Sequence, residues 1–550
     1  MNRTLDDPHY YLLNFRRVLA WIAERYGDLL IDTEQAFLAD FAALPQAAQA
    51  LLVRMVMRKG ELFRASKLRY AEIGDTALAV APLIELGWVR LDATLNLAQL
   101  FGLCTKAELQ LALAEPLAER RLSQAGKAEM LAALVDTLNE TQPLQAWYPA
   151  CEDALYWLTV MPVCERFRLM FFGNLHQDWS EFVLADLGIY DYEPVVLAPT
   201  ARGFQQRADV DTYLQLAEYQ RLLAEGETEA ALAGVREVPC ANPWLEGRRR
   251  RLLHRFGQHY ERLGELETAL VLYQGNDYPG ARARCIRVLE RLARHEEAHA
   301  LALQAESAPE SEEEAQQVSR MLPRLRRLLG LPPLPRQAAL VLEELALCLP
   351  QPKDGSTVEF AVRDHLNAEE APVHYVENGL INSLFGLLCW EAVFAPLPGA
   401  FFHPFHRGPA DLASPDFVSR RADLFAACLA QLDDGRYLDT IRRHYREKWN
   451  RQSPFVFWGL IDETLLEQAL TCLPAAHLRL WFQRLLADVS TNRSGLPDLV
   501  QFWPTQGRYR LIEVKGPGDR LQDNQLRWLD YCLAHDMPVC VCYVQWVGVA

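Results

Sequence analysis

Lysine is scarce in this chain: seven residues, against forty-nine arginines, in a length of 550. Lysine is a compact point charge whose pKa responds to its surroundings, so seven are few enough to inspect one by one. Long apolar runs are missing too. No stretch of about 20 apolar residues free of charge occurs, which excludes a transmembrane helix. Met1–Asp7 has neither the charge nor the apolar block of a signal peptide. Twelve cysteines lie between Cys104 and Cys542 with no Cys-x-x-Cys, a pattern that suits reduced thiols in a cytosolic compartment. Cys540 and Cys542 share a strand face and read as core. There is no P-loop and no Gly-x-Ser-x-Gly elbow, so neither ATP hydrolysis nor serine-hydrolase chemistry is supported.

Half of the residues are hydrophobic, enough for several cores, and the length predicts three or four domains. The net charge of −16 looks wrong for a nucleic-acid partner. Local patches decide that question, not the total. Residues 51–70 carry Arg54, Arg58, Lys59, Arg64, Lys67 and Arg69 against one acid, Glu61. Arg442, Arg443, Arg446 and Lys448 form a second basic cluster. The run Arg248–Arg251 stays open between DNA contact and a solvated helix start. Five glutamates between Glu306 and Glu314 predict an exposed loop or helix end.

One constellation carries chemistry. Gly495-Leu496-Pro497-Asp498 precedes a short apolar strand, Leu499–Trp503, a turn at Pro504–Gly507, and a second strand ending in Glu513-Val514-Lys515. That hairpin brings Asp498 towards Glu513. Period 2 on a strand puts Glu513 and Lys515 on one face and Val514 in the core. Two carboxylates are hard oxygen donors for Mg²⁺ or Mn²⁺ and leave positions open for water and phosphate. Such an ion polarises a phosphodiester and acidifies water, and a neighbouring Lys steadies the developing charge. Lys515 is the only lysine with Glu two residues before it. An amphipathic helix over 519–536, with Leu521, Gln525, Trp528 and Leu529 on one side, and a dense apolar strand, Pro538–Trp546, complete the pattern. Strand–strand–helix–strand with acids at strand ends is the order of restriction-endonuclease-like nucleases. His403-Pro404-Phe405-His406 has a metal-like spacing, but Pro404 breaks a helical pair and a structural role is expected.

The ending resembles the VRR-Nuc domain of the Fanconi-associated nuclease family, and the resemblance covers most of the chain. The stretch from Glu377-Asn378-Gly379-Leu380 to Leu388 is similar to the helix that supplies an upstream acid in that family, and Phe402–Phe417, with Gly408–Leu412, is similar to another shared segment. The resemblance implies Glu377, Asp498, Glu513 and the Val514 carbonyl as ligands of two ions, Mg²⁺ or Mn²⁺. It makes Lys515 catalytic together with Asp498 and Glu513, and gives Gln525 a supporting place. The family's longer members carry a ubiquitin-binding zinc finger at the N-terminus. No cysteine precedes Cys104 here, so the resemblance does not extend to that module and a bacterial source is expected.

The expected fold is multidomain and mostly α. Residues 1–120 read as a helical, winged-helix/SAP-like DNA-binding region. Its cues are a small strand at Gly87–Leu91 and a SAP-type helix pair over Leu97–Leu113. Residues 121–330 read as helical, tetratricopeptide-like (TPR-like) repeats, with Leu253, Phe256, Gly257, Tyr260, Ala269 and Tyr273 at the matching spacing. After a hinge at Leu331–Pro335, residues 331–550 read as an α/β PD-(D/E)xK nuclease domain with a helical insertion between Glu377 and Asp498. The implied function is a structure-selective, metal-dependent DNA nuclease. It would cut 5′ flaps and branched DNA with 5′-to-3′ exonuclease activity, in repair of interstrand crosslinks. A monomer is expected, with the repeats open to repair proteins and no membrane partner. It would sit in the cytoplasm at the nucleoid if bacterial and in the nucleus if eukaryotic. A Holliday-junction-type resolvase and a non-catalytic DNA-binding repair scaffold stand as the alternatives.

Overall fold

The computed structural model describes residues 7–186, 190–197, 202–335, 341–352 and 355–548. The chain divides into two compact units. One spans Met1–Tyr190 and Arg202–Val210; the other spans Asp191–Ala201 and Asp211–Ala550. Among the described residues no helix is long and apolar enough to cross a membrane.

The first unit starts with helices Tyr10–Tyr26, Asp32–Ala43 and Gln46–Val56. Strand β1 (Leu62–Arg64), helix Thr76–Glu85 and strand β2 (Val89–Arg90) follow. Strands β3 (Thr94–Leu95) and β4 (Gln142–Pro143) pair with each other, antiparallel. Strand β5 (Leu155–Leu158) lies between β1 and β2, antiparallel to both. The small strand expected at Gly87–Leu91 is thus β2, but the rest of its sheet is illegible in sequence: β1 pairs with residues of β5 that lie 91 to 95 positions away, beyond any local signal. The SAP-type pair is present as Leu97–Leu103 and Lys106–Ala112. Each starts on a reciprocal cap, Asn96 with Gln99 and Thr105 with Glu108.

Successive helices, each packed on the next, fill the first part of the second unit: Thr228–Glu237, Pro243–Leu263, Leu266–Tyr273, Ala281–Arg291, His295–Ser307 and Glu312–Leu328. Small residues set their spacing. A Cβ on Gly257 would stand 2.6 Å from the Tyr273 ring, so glycine admits the tyrosine of the next helix. The acidic run forms the exposed loop and helix end expected, with Glu306, Glu310 and Glu313 at the surface, except at Glu314. Glu314 is buried, accepts from Arg282 (2.8 Å) and from the Glu310 N–H (2.6 Å), and its own N–H bonds the Ser311 hydroxyl. The partner that draws it inward lies 32 residues away.

A five-stranded sheet occupies the end of the chain. Its strands are β6 (Glu343–Leu349), β7 (Val373–Tyr375), β8 (Leu499–Trp503), β9 (Arg508–Lys515) and β10 (Val539–Trp546), in the order β6-β10-β9-β8-β7. Strands β6, β10 and β9 run parallel; β9, β8 and β7 alternate. Helices Val358–Leu366 and Asp523–Ala534 belong to this part, the latter shorter than the 519–536 expected because Gly516–Gln522 form the turn before it. Between β7 and β8 come the inserted helices Leu380–Leu388, Trp390–Val393, Ala422–Asp434, Tyr437–Glu447, Glu463–Cys472 and Ala475–Ala487. They build the larger core around Phe385, Trp390, Trp481 and Phe482, and the sheet's other face packs on Ile512, Val514, Cys540 and Cys542. Glu513 and Lys515 share one face, as the strand period implies, and Val514 lies in the core on the other; coverage on both faces leaves all three buried.

Candidate active site

Strand register builds the site. Leu499 pairs with Ile512, so Asp498, one residue before β8, comes level with Glu513 on β9. On the other side Tyr375 of β7 pairs with Leu499, and the Val376 N–H donates to the Asp498 carbonyl (2.8 Å). Glu377 therefore arrives beside Asp498 although 121 positions separate them in sequence. It does not sit on a helix, as expected, but in the turn before helix Leu380–Leu388, and it is exposed. The reason is Asn378, whose φ of +52° is left-handed and cannot continue a helix. The Asn378 side chain accepts from the Leu496 N–H (3.1 Å), and Asn382 donates to the carbonyls of Asn378 (2.6 Å) and Arg493 (2.9 Å). These bonds fasten the Glu377 turn to the loop that leads into Asp498.

The polar contacts orient each group. Asp498 Oδ2 accepts from the Val514 N–H at 2.8 Å. Glu513 Oε1 accepts from Lys515 Nζ and from Gln525 Nε2, both at 2.6 Å. The Gln525 oxygen is already engaged by the Gln522 N–H (2.8 Å), which fixes the amide so that its nitrogen faces Glu513. Tyr375 donates its hydroxyl to Glu377. Glu513 Oε2, on a side chain with 0% exposure, has no partner among the described residues.

Electrostatics follow from that crowding. Burial raises the Asp498 pKa, Glu359 and Glu377 push it further, and the Val514 N–H and Lys515 oppose. Burial raises that of Glu513 as well, the Asp498 charge adds, and Lys515 opposes. Burial and the bond to Glu377 also lift the Tyr375 phenol. Glu359 is a site residue that sequence reasoning missed. It stands in the first turn of helix Val358–Leu366, where Phe360 packs on Tyr375 (ring centroids 5.2 Å) and Val358 lies against Gly516. Its only local signal was an acid at the start of an amphipathic stretch.

Two carboxyls that repel each other, an orphaned buried oxygen and a neighbouring ammonium fit a hard divalent cation, which would satisfy the oxygen and cancel the repulsion. Among the described residues no three His, Cys, Asp or Glu side chains are already drawn together tightly enough to enclose an ion. Lys515 and Gln525 hold one oxygen of Glu513, and Tyr375 holds Glu377.

Other predicted groups resolve differently. His403 Nδ1 accepts from the Phe405 N–H and His406 Nε2 from the Phe402 N–H, both at 3.0 Å. Burial lowers the His406 pKa to about 4, so this pair shapes a turn. Asp411, in the shared 402–417 segment, takes a two-pronged bond from the buried Arg421 (2.8 and 2.9 Å). In the Arg248–Arg251 run, Arg248 covers the Tyr213 ring at 4.0 Å, and Arg249 and Arg250 bind Glu246. In residues 51–70, Arg64 is buried on Glu108 (2.5 Å) and Asp153 (2.8 Å), and Arg54 binds Glu72. Arg58, Lys59, Lys67 and Arg69 remain at least partly exposed.

Comparison with known proteins places this geometry. Residues 432–546 match the VRR-NUC domain, 9–90 the FAN1 HTH domain and 94–147 the Fanconi anemia-associated nuclease SAP domain. A Fanconi-associated nuclease 1 homolog of Pseudomonas aeruginosa is 59% identical over 543 residues, 98% of this chain and 97% of that one. The chain belongs to the Fanconi-associated nuclease family. As a member it is a DNA nuclease, a hydrolase, and its VRR-NUC domain is of a kind that depends on divalent metal. Human Fanconi-associated nuclease 1 shares 33% identity over 181 residues, 31% of this chain and 17% of the human one. A crystal structure of paFAN1 bound to 5′-flap DNA with a 2-nucleotide flap and a gap superposes with a TM-score of 0.94 at 58% identity, covering 100% of both chains.

Proposed function

We propose that this family member is a structure-selective nuclease that hydrolyses phosphodiesters at 5′ flaps and in branched DNA, trims 5′ to 3′, and serves repair of interstrand crosslinks. The observation that carries the reading is the unpartnered Glu513 Oε2 beside Asp498, with Lys515 against the other oxygen. The flap preference is supported by the DNA held in the crystal structures of the similar protein.

In this reading Asp498, Glu513, the Val514 carbonyl and Glu377 would hold two ions, Mg²⁺ or Mn²⁺, which would supply charge stabilisation and acidify a water. Asp498 is steadied by the Val514 N–H. Glu513 is aimed by Gln525. Lys515 Nζ orients the attacking water and stabilises charge on the phosphate. Tyr375 keeps the Glu377 carboxylate turned towards its own hydroxyl until the site fills. Arg58, Lys59, Lys67 and Arg69 contact phosphate without reading sequence. The protein works as a monomer in the bacterial cytoplasm, on the nucleoid, and its repeats are open to repair partners.

The test is cleavage of a labelled 5′ flap and a four-way junction by purified protein with Mg²⁺ or Mn²⁺. The flap should be cut and the junction spared. Asp498→Ala, Glu513→Ala or Lys515→Ala should abolish cutting and leave flap binding nearly intact. Wild-type cutting by Asp498→Ala refutes the site. Preferential junction cutting favours the resolvase reading, and no cutting by the wild type favours the scaffold.

A further inference from the structure

Segment 453–461 has no regular structure, yet it is held firmly against helix Leu380–Leu388. Two glycines of that neighbourhood and one beyond it admit the segment: an added Cβ would meet Leu460 at 2.9 Å from Gly379, Phe455 at 2.7 Å from Gly386, and Pro454 at 2.8 Å from Gly408. The Phe457 N–H donates to Ser383 Oγ (3.0 Å), and the Trp458 indole donates to the Arg451 carbonyl (2.6 Å). Phe455 and Val456 are buried, but Phe457 is 44% exposed. Ser383 is one turn along from Gly379, whose carbonyl takes its N–H, and Glu377 is two residues before Gly379. Phe457 is thus fixed against the helix that follows the Glu377 turn, and Leu460 of the same segment lies against Gly379. A second aromatic, Trp449, is 52% exposed and rests edge-on against Tyr445 and Trp458, with ring centroids 5.3 Å away in each case. Arg443 and Arg446, exposed on the helix that ends two residues before Trp449, add positive charge.

A scattered exposed aromatic needs no explanation. One on an immobilised backbone, beside carboxylates that act on a polynucleotide and near guanidinium groups, is a preformed stacking face. Every base has a π surface, so such a face holds unpaired nucleotides without regard to sequence. We propose that Phe457 stacks on an unpaired base of the substrate next to the Asp498–Glu513 centre, and that Trp449 with Arg443 and Arg446 continues the path of that single strand. The proposal rests on the nuclease reading and adds the group that selects unpaired over paired DNA.

The experiment uses the full chain carrying Asp498→Ala, bound to a 5′ flap with 2-aminopurine at the unpaired nucleotide nearest the branch. Binding should quench the probe. Adding Phe457→Leu should restore emission and weaken flap affinity about 5- to 150-fold, the range of one lost base–aromatic stack. Phe457→Tyr should keep the quench, and affinity for a blunt duplex should not change. Quenching and affinity that persist in Phe457→Leu overturn the proposal. Equal weakening on flap and blunt duplex overturns it too. Flap cutting by the Asp498→Ala chain would instead refute the catalytic assignment, while the emission change still judges Phe457.

Discussion

Gln525 gives its amide nitrogen to Glu513 because its oxygen is already spent on the Gln522 N–H that opens the same helix. One side chain therefore caps a helix and aims a carboxylate. Removing it leaves Glu513 with Lys515 alone. Outer partners of ligands typically govern about 10- to 100-fold in ion affinity or activity. Gln525→Ala should shift the Mn²⁺ concentration for half-maximal flap cleavage upward within that range and lower helix stability slightly. An unchanged Mn²⁺ dependence would show that Lys515 suffices.

The raised proton affinity of Asp498 and Glu513 predicts a pH effect whose sign can be worked out. Their folded pKa values lie above the unfolded ones, through burial first. Their contribution to stability is then fully present below the unfolded pKa of about 4 and is lost as pH rises through the raised folded values. Metal-free protein should gain from Asp498→Asn at pH 8, by on the order of 1–3 kcal/mol relative to its effect at pH 5. Thermal melts in EDTA at the two pH values check this. A gain that is larger at pH 5 contradicts the assignment.

Gly495 holds the loop before Asp498 in place. Its φ is +91°, and an added Cβ would meet the Asn524 backbone at 2.7 and 2.8 Å. That backbone is the start of the Gln525 helix and has nowhere to go. Gly495→Ala should cost about 1–3 kcal/mol or more and should move the melting temperature and the cleavage rate together. A melt identical to wild type would mean the loop relaxes freely.

The basic residues of 51–70 split into two groups with opposite tests. Arg64→Ala strips a buried cation from Glu108 and Asp153 and should lower stability by about 3–5 kcal/mol. Lys59→Ala and Arg69→Ala should leave the melt unchanged and weaken DNA binding, reducing the slope of log K against log salt by about 0.9 for each phosphate no longer neutralised. Titrations at several salt concentrations separate the groups. Salt slopes that stay at the wild-type value would remove these side chains from the DNA surface.

What was legible in sequence follows range. The hairpin of β8 and β9, with Asp498, Glu513 and Lys515, is encoded locally by turn chemistry and strand period, and the structure pairs it so. The Gln525 helix was visible by amphipathicity, though its start was overrun where Gly516–Gln522 form a turn. The edge strands β6 and β7 were invisible because their partners lie far off in sequence. Glu359 shared that fate. Glu377 was read as helical because the apolar run after it is; the left-handed Asn378 between them leaves no hydrophobic trace. Arg54, Arg64 and Glu314 looked like surface charges since their counter-ions come from other elements.

The parallel neighbour of β6 is β10, almost two hundred positions downstream. During synthesis the first-made strand of the catalytic sheet must wait for the last, with its hydrogen-bonding edges open. Such pairings are slow to form and expose the chain to aggregation. β10 also lies alongside the Glu513 strand, so a nascent polypeptide, or one nicked before β10, lacks the neighbour that braces Glu513. On the proposed site, competence to break DNA is deferred until that closing strand has left the ribosome.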